Sequence, residues 1–241
     1  MMKFKMIAVD IDGTLTLNRQ STIIHLGVVE KLRILENTGV KVVLISSNAL
    51  PVVVGLSKYF GFSGPCIGET GALIYYNREV IHLTEKSAFN AMRDSLNSFN
   101  EYVEESWQNL FRIHEFALTV KEKYRYSSRE IYYNIKKYVE SKYSDVKVGF
   151  SGYAIHLTPI DVSKGRALKL VMGILGIDKE ESIGIGDSEM DLDFMEETGL
   201  KIAVADADEA LIEKADIVLD KSGGAGVADF IDKLIRGEVS G

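Results

Sequence analysis

The sequence is poor in the residues that stabilise small secreted domains and that anchor proteins in membranes. Its 241 residues include one cysteine, Cys66, so an intrachain disulfide is excluded and a thiolate metal site is unsupported. No apolar run approaches the ~20 residues that a membrane helix needs, and residues 1–9 lack the apolar segment of a signal peptide. The formal net charge of −7 argues against nonspecific nucleic-acid binding. We therefore expect a cytoplasmic protein that binds neither membranes nor nucleic acids.

Two carboxylates stand one residue apart where a short apolar run ends. Residues 5–10 are typical of a buried strand, and alternate residues of a strand point the same way, so Asp10 and Asp12 are expected to emerge together before a turn at Gly13. Neighbouring carboxylates repel each other unless a cation shares the site or one of them holds a proton. The pair suggests a divalent metal, or a nucleophile beside an acid/base. The structural alternative is a solvated Asp-Gly turn, which is the usual role of an isolated Asp-x-Asp-Gly; the buried strand before the pair disfavours that alternative.

A second acidic motif occurs near the other end of the chain. Residues 182–186 form another apolar run, and Asp187 follows it directly. Asp187 and Asp191 share one face if a helix opens at Ser188. Because open α/β sheets bind ligands at the carboxyl ends of their strands, we expect this motif to lie beside the first one.

A strand-ending hydroxyl and a lysine lie between the two acidic motifs. Residues 42–45 are typical of a strand that ends in Ser46, followed by Ser47 and Asn48, and Lys164 opens a segment with helical spacing. A hydroxyl with neighbouring backbone N–H groups suits a phosphate, and a lysine suits it as a point charge. The structural alternatives are helix capping for Ser46 and Asn48 and a solvated surface position for Lys164.

The order of these four motifs resembles that of the haloacid dehalogenase superfamily of phosphatases. The parts shared with that family are the Asp-x-Asp-Gly-Thr strand end, a strand ending in a hydroxyl, a lysine near a helix start, and Gly-Asp-x-x-x-Asp. The chain length, the long insert before Lys164 and the sequence Gly-Glu-Thr-Gly-Ala-Leu-Ile-Tyr at 68–75 are similar to the archaeal phosphoglycolate phosphatase branch. The branch usually has Thr-Gly-Asn where this chain has Ser46-Ser47-Asn48, and commonly an asparagine where it has Met190.

The resemblance implies a role for each motif. Asp10 is implied as the nucleophile that forms an aspartyl-phosphate, and Asp12 as the acid/base that serves the leaving oxygen and then the attacking water. The residues implied to hold the phosphoryl group or the substrate are Ser46, Ser47, Asn48, Lys164 and Gly13. The implied cofactor is Mg²⁺, which prefers hard oxygen ligands. Its implied protein ligands are Asp10, Asp12 through its backbone carbonyl, Asp187 and Asp191.

The order of predicted elements indicates an α/β fold in which a Rossmann-like parallel-sheet core is interrupted by a smaller α+β cap. Strands and helices alternate in residues 1–83 and again in residues 159–241, as right-handed β-α-β crossovers require. The inserted cap is assigned to residues 84–158. Its predicted elements are a helix over 85–105, a strand over 110–120, a helix over 128–142 and strands over 146–150 and 153–157.

These inferences converge on a Mg²⁺-dependent phosphatase of small phosphorylated metabolites, and the branch resemblance implies 2-phosphoglycolate. A sugar-phosphate phosphatase, a phosphomutase and a non-catalytic binding module remain alternatives, and the oligomeric state stays open, a homodimer being one option. A carboxylate-bearing substrate needs a further cation, since a buried unpaired carboxylate costs several kcal/mol. The candidate cap residues are Arg112, Lys121, Lys123, Arg125 and Arg129. The histidines show no metal-ligand spacing, and three of them are interpreted as strand-face residues: His82, His114 and His156.

Overall fold

The computed structural model describes residues 3–152 and 154–239, and within them the chain forms two β-sheets flanked by helices. In chain order the strands are β1 (Met6–Val9), β2 (Lys41–Ile45), β3 (Cys66–Gly68), β4 (Leu73–Tyr76), β5 (Glu79–His82), β6 (Val103–Glu105), β7 (Phe116–Val120), β8 (Val146–Phe150), β9 (Ala154–Pro159), β10 (Ser182–Gly186), β11 (Leu200–Ala203) and β12 (Ile217–Val218). The α-helices are α1 (Leu26–Glu36), α2 (Leu50–Phe60), α3 (Phe89–Ser98), α4 (Ser128–Lys142), α5 (Lys164–Leu175), α6 (Leu192–Met195), α7 (Glu209–Ile212) and α8 (Gly223–Ile235). Among the described residues, no helix combines the length and the apolar character needed to cross a membrane.

The larger sheet carries three of the four sequence motifs, and the fourth, Lys164, is the first residue of α5. The strand order of this sheet is β12-β11-β10-β1-β2-β3-β4-β5, and every pair from β12 to β3 is parallel. β1 lies between β10 and β2, so the residues that follow these three strands meet at one edge of the sheet. The mostly parallel sheet with its separate smaller sheet confirms the predicted fold class.

The strands of this sheet are buried because helices cover them. β1 is buried along its whole length, and so is β10, as expected for parallel strands with helices on both faces. α1 shows how the helices attach: its buried residues Val28, Val29, Leu32 and Leu35 repeat at helical spacing. This apolar core fixes the sheet edge on which the motif residues stand.

The smaller sheet belongs to the insert and has a core of its own. Its order is β6-β7-β9-β8, and all its strand pairs are antiparallel. One face of the sheet packs against α3 and α4 through buried apolar side chains, among them Phe116, Leu118, Ile135, Val139, Ile155 and Leu157. The helix predicted over 128–142 and the strand predicted over 146–150 are confirmed. Tyr153, where the last predicted strand begins, lies outside the described residues, and β9 starts at Ala154.

The helix predicted over 85–105 is wrong at both ends. α3 covers only residues 89–98, and the end of the predicted helix is the strand β6. The segment that follows Ser98 contains Asn100, which favours turns. Val103 is buried in the cap core and pairs with Val120 of β7. Cross-strand burial therefore outweighs the local helical pattern.

The strand predicted over 110–120 starts six residues late, at Phe116. Residues 107–111 form a 3₁₀ turn instead. The backbone N–H groups of Ile113, His114 and Glu115 donate to the carboxylate of Glu69 at 3.2, 2.8 and 3.1 Å. Because these donors are taken by a side chain of the larger sheet's β3–β4 connection, they do not enter a strand ladder, and His114 lies before the strand it was predicted to occupy.

Candidate active site

Three carboxylates converge at the edge where β1 and β10 end. Asp10 follows β1, Asp187 follows β10, and Asp191 lies one turn further along the chain. All three are buried, and one oxygen of each lies within 4.8 Å of the others. The structure thus brings together the two acidic motifs that the sequence places at opposite ends of the chain.

Lys164 lies between two of these carboxylates. It is the first residue of α5, whose N-cap Ser163 accepts a hydrogen bond from the N–H of Arg166. The Nζ of Lys164 donates to Asp10 Oδ1 and to Asp191 Oδ1, each at 2.6 Å. Burial opposes its charge, but the two carboxylates outweigh burial and raise the pKa of Lys164. The lysine therefore stays charged in a site from which water is largely excluded.

Asp191 is held in place by backbone N–H groups. Residues 189–191 form a 3₁₀ turn that leads into α6, so no α-helix opens at Ser188, in contrast to the sequence-based expectation. Asp191 Oδ2 accepts from the N–H groups of Asp187 and Ser188, both at 3.1 Å. Its two oxygens thus orient Lys164 on one side and the Asp187 backbone on the other.

The site carries more negative charge than its cations neutralise. Burial and the charge of Asp191 raise the pKa of Asp10 well above its usual value, against the opposing charge of Lys164. Burial and Asp191 also raise the pKa of Asp187 to about 7, although Arg19 opposes this shift. Arg19 Nε lies 2.8 Å from Asp187 Oδ2. Three carboxylates facing two cations form a hard-oxygen donor set that fits a divalent metal ion.

Gly13 is required by close packing against Asp187. It adopts φ +88°, and a Cβ on it would lie 2.3 Å from Asp187 Oδ2. Its N–H donates to Thr16 Oγ1 at 2.8 Å, while Thr14 Oγ1 donates to Asp187 Oδ1 at 3.2 Å. In this structure Gly13 therefore lets the backbone pass close to the Asp187 carboxylate. Its predicted contact with substrate stays a prediction.

The second motif is linked to Asp12 through Asn48. Ser46 is buried at the end of β2, and its Oγ accepts from the N–H of Asn48 at 3.0 Å. Asn48 Nδ2 donates to Asp12 Oδ2 at 2.6 Å, and Asp12 itself is exposed. The N-cap position of α2 belongs to Ala49, so the capping alternative for Asn48 does not apply. Ser47, which is partly buried, lies between the two residues on the same loop.

The cap contributes a residue that the sequence motifs did not reveal. Gln108 Nε2 donates to Asn48 Oδ1 at 2.6 Å, and Gln108 Oε1 accepts from the N–H of Ala49 at 2.7 Å. Met190 also faces the cap, since a Cβ on Gly149 of β8 would lie 3.1 Å from its Cε. The methionine that departs from the usual branch pattern thus packs against the inserted sheet. Arg19 stands in a loop and Gln108 in a short 3₁₀ turn, and neither belongs to a periodic pattern, so no sequence signal marks them.

Comparisons with known proteins agree with this architecture. The profile of the haloacid dehalogenase-like hydrolases matches residues 7–130 and 84–231. A phosphoglycolate phosphatase of Staphylothermus marinus is 56% identical over 232 residues, which cover 96% of this chain and 98% of that protein. A phosphoglycolate phosphatase of Sulfolobus acidocaldarius is 34% identical over 98% of this chain and 99% of its own. A crystal structure from Thermoplasma acidophilum has the same fold, with a TM-score of 0.80 and 23% identity over 96% of this chain and 98% of its own. The family match and the motifs agree: this chain belongs to the haloacid dehalogenase-like hydrolases.

Proposed function

We propose that this protein is a magnesium-dependent phosphatase that hydrolyses 2-phosphoglycolate to glycolate and phosphate. The observation that carries the proposal is the 56% identity to the Staphylothermus marinus phosphoglycolate phosphatase over 96% of this chain. The buried carboxylates and lysine at the sheet edge supply the chemistry that a phosphoric monoester hydrolase needs.

The reaction proceeds in two displacements at phosphorus. A carboxylate oxygen of Asp10 attacks, the bond from phosphorus to the glycolate oxygen breaks, and Asp12 gives its proton to that leaving oxygen. Asp12 then takes a proton from water as the water oxygen attacks the aspartyl-phosphate, which releases phosphate and restores Asp10. Lys164, 2.6 Å from Asp10, offsets negative charge as it spreads over the phosphoryl oxygens.

The residues proposed to hold Mg²⁺ are Asp10, the backbone carbonyl of Asp12, Asp187 and Asp191. When bound, Mg²⁺ neutralises phosphoryl charge and helps to align the phosphorus with its nucleophile. Both oxygens of Asp191 accept hydrogen bonds, one from Lys164 and the other from the N–H of Asp187. Part of its role in metal binding is therefore to hold Asp187 in place.

A panel of phosphorylated metabolites tests the substrate. With Mg²⁺, we expect kcat/KM for 2-phosphoglycolate to exceed that for hexose phosphates and p-nitrophenyl phosphate by at least about tenfold, because one matched charged contact contributes roughly that factor. Product analysis with a sugar phosphate checks for phosphoryl transfer to a second hydroxyl. A hexose phosphate that is hydrolysed more efficiently than 2-phosphoglycolate contradicts the substrate proposal, and an isomerised sugar phosphate identifies a mutase.

Magnesium is expected to stabilise the protein more at pH 8 than at pH 5. Burial and the charge of Asp191 raise the pKa of Asp187 to about 7, from an ordinary value of 3.8. Between these pH values the folded state binds more protons than the unfolded chain, so metal-free stability falls as pH rises from about 4 to about 7. At pH 8 the ionised carboxylates bind Mg²⁺ without first losing a proton. We expect the Mg²⁺-induced rise in Tm to be a few degrees larger at pH 8, since 1 kcal/mol corresponds to about 2–4 °C in a chain of this size.

Thermal unfolding in Mg²⁺ and in EDTA measures this difference. The Asp187→Asn variant is the control, because it removes the titrating carboxylate, and its Mg²⁺-induced shift in Tm should be small at both pH values. A larger Mg²⁺ effect at pH 5 than at pH 8 in the unmodified protein contradicts the proposed metal site.

A further inference from the structure

A buried group of charged residues lies in the cap, outside the carboxylate site. Arg112 Nη1 donates to Glu115 Oε2 at 2.6 Å, and His156 Nδ1 lies 2.5 Å from Glu115 Oε1. The side chains of Arg112 and Glu115 are 2% and 0% exposed. His156 Nε2 lies 3.1 Å from Ser151 Oγ. We call these residues, Arg112, Glu115, Ser151 and His156, the cap cluster.

The cap cluster lies on the face of the smaller sheet that is turned to the active site. In the sheet register His156 is directly opposite both Ala117 and Gly149, and opposite residues of antiparallel strands share a face. Gly149 packs against Met190, the residue before Asp191. Glu115 lies on the same side, because its carboxylate contacts the His156 ring. The apolar residues of these strands occupy the other face, against the cap helices.

The loop that carries Arg112 is fastened to the larger sheet on both sides. Before it, Gln108 bonds to Asn48 and Ala49 at the end of β2. After it, the N–H groups of residues 113–115 bond to Glu69, which follows β3. β2 and β3 are parallel neighbours, so both fastening points stand at the edge that carries Asp10 and Asp12. The loop that carries Arg112 is thereby held against the sheet edge on which the site stands.

Arg112 has an unused hydrogen-bond donor. Its Nε is buried and has no partner within the described part of the chain. A buried donor without a partner carries a desolvation cost. Because Glu115 takes Nη1, the side edge formed by Nε and Nη2 is the one on which a further carboxylate would bind in the bidentate manner that guanidinium groups favour.

We propose that Arg112 binds the carboxylate of the substrate, with Glu115 and His156 as positioning residues that fix the guanidinium. The proposal rests on the proposed function, in which the substrate is a phosphorylated carboxylic acid. A rigid, buried arginine discriminates better than the exposed cap cations Lys123, Arg125 and Arg129, because exposed ion pairs are weakened by solvent and salt. Ser151, at the far end of the cluster, lines the cleft of about 1070 Å³ between cap and core.

A pair of matched substrates tests this assignment. 2-Phosphoglycolate and 2-hydroxyethyl phosphate differ in the carboxylate, which the second compound replaces with a neutral alcohol. In the Arg112→Met variant we expect kcat/KM for 2-phosphoglycolate to fall on the order of 100-fold, as for loss of a buried charged partner. For 2-hydroxyethyl phosphate kcat/KM should change by no more than about threefold, because this substrate has no carboxylate for Arg112 to bind.

The Arg112→Lys variant controls for a folding defect, because it keeps a cation beside Glu115 but lacks the planar guanidinium group. We expect kcat/KM of this variant to fall about tenfold for 2-phosphoglycolate and not for 2-hydroxyethyl phosphate, because a bidentate contact with the carboxylate becomes a single one. Arg129→Met is the matched control: an exposed arginine of the same cap, whose loss should leave the ratio of the two substrates unchanged.

The outcomes separate the two proposals. If the unmodified protein shows no preference for 2-phosphoglycolate over 2-hydroxyethyl phosphate, the proposed function fails. If it shows the preference but folded Arg112→Lys keeps it, or if both substrates lose equally in Arg112→Met and Arg112→Lys, the arginine is structural and the assignment is overturned. Loss of the preference in Arg129→Met also overturns it, because the carboxylate then binds at the open cleft.

Discussion

Replacing Asp10 with asparagine is expected to abolish hydrolysis of both 2-phosphoglycolate and p-nitrophenyl phosphate, with kcat falling at least about a thousandfold, as for loss of other covalent nucleophiles. An amide cannot attack phosphorus, and p-nitrophenyl phosphate requires the same attack although its leaving group is better. The residue is buried beside Lys164, whose Nζ lies 2.6 Å from a carboxylate oxygen of Asp10 and 2.6 Å from one of Asp191. Steady-state kinetics with the two esters measure the loss.

A trapped phosphoenzyme identifies the nucleophile independently of the rate. Rapid quench of the unmodified protein should add one phosphoryl group to the peptide that contains Asp10, and Asp10→Asn should carry none. Asp193→Asn is the matched control, because Asp193 Oδ2 accepts from the N–H of Gly165 at 3.0 Å and an asparagine can keep that bond. Phosphorylation of a different peptide, or turnover by Asp10→Asn near that of the Asp193→Asn control, contradicts the covalent mechanism.

The core of this fold was predictable because local and long-range signals agree there. Strands such as β1 and β10 are apolar runs that are followed by turn residues. Because ligands bind at the carboxyl ends of parallel strands, the sequence predicted that Asp10 and Asp187 lie close together. The four-residue spacing of Asp187 and Asp191 predicted proximity correctly, although through a 3₁₀ turn and two backbone hydrogen bonds in place of an α-helix. Several local conformations meet the same spacing, so pattern alone does not choose among them.

The cap was harder to predict because its segments depend on distant partners. Residues 99–105 contain no Gly or Pro, and Asn100 is their one turn-favouring residue, so pairing with β7 is what makes Val103 a strand residue. Glu69, which follows β3 of the larger sheet, depends on distant partners in the same way. It adopts φ 50°, and its buried carboxylate accepts from three N–H groups more than forty residues away. Arg112 looked like any of five cap cations in the sequence. Its burial and its contact with Glu115 distinguish it, and both are properties of the folded chain.

The electrostatics of the site follow from this folding, not from the motifs alone. Asp10, Asp187 and Asp191 repel one another in a space where Lys164 and Arg19 supply the positive charge found among the described residues. Such a site is a strained arrangement in the metal-free protein, held by the buried sheet beneath it. A divalent cation bound there would relieve the same repulsion, so the proposed metal binding and the cost to stability have one physical origin.

Replacing Asp12 with asparagine is expected to separate the two halves of the reaction. Glycolate leaves as a strongly basic alkoxide unless it is protonated, so kcat with 2-phosphoglycolate should fall about a thousandfold, within the range for loss of a general acid. p-Nitrophenolate leaves without a proton, so formation of the aspartyl-phosphate from that ester should be much less affected. The attacking water then lacks its base in both cases, and the phosphoenzyme should accumulate.

A burst of p-nitrophenolate followed by slow turnover is the signature that checks this role. Its amplitude should approach one equivalent of enzyme, and the trapped phosphoryl group should lie on the peptide that contains Asp10. The substitution should preserve the fold, because Asp12 is exposed and the Oδ1 of an asparagine can still accept from Asn48 Nδ2, the 2.6 Å contact of the native residue. Asn48→Ala is the matched control: it removes that contact but leaves the acid, so it should slow 2-phosphoglycolate turnover less than Asp12→Asn does and give no burst. If Asp12→Asn slows both esters equally and no phosphoenzyme accumulates, Asp12 acts before the chemistry, in binding or in metal coordination, and the two-step role assigned to it is wrong.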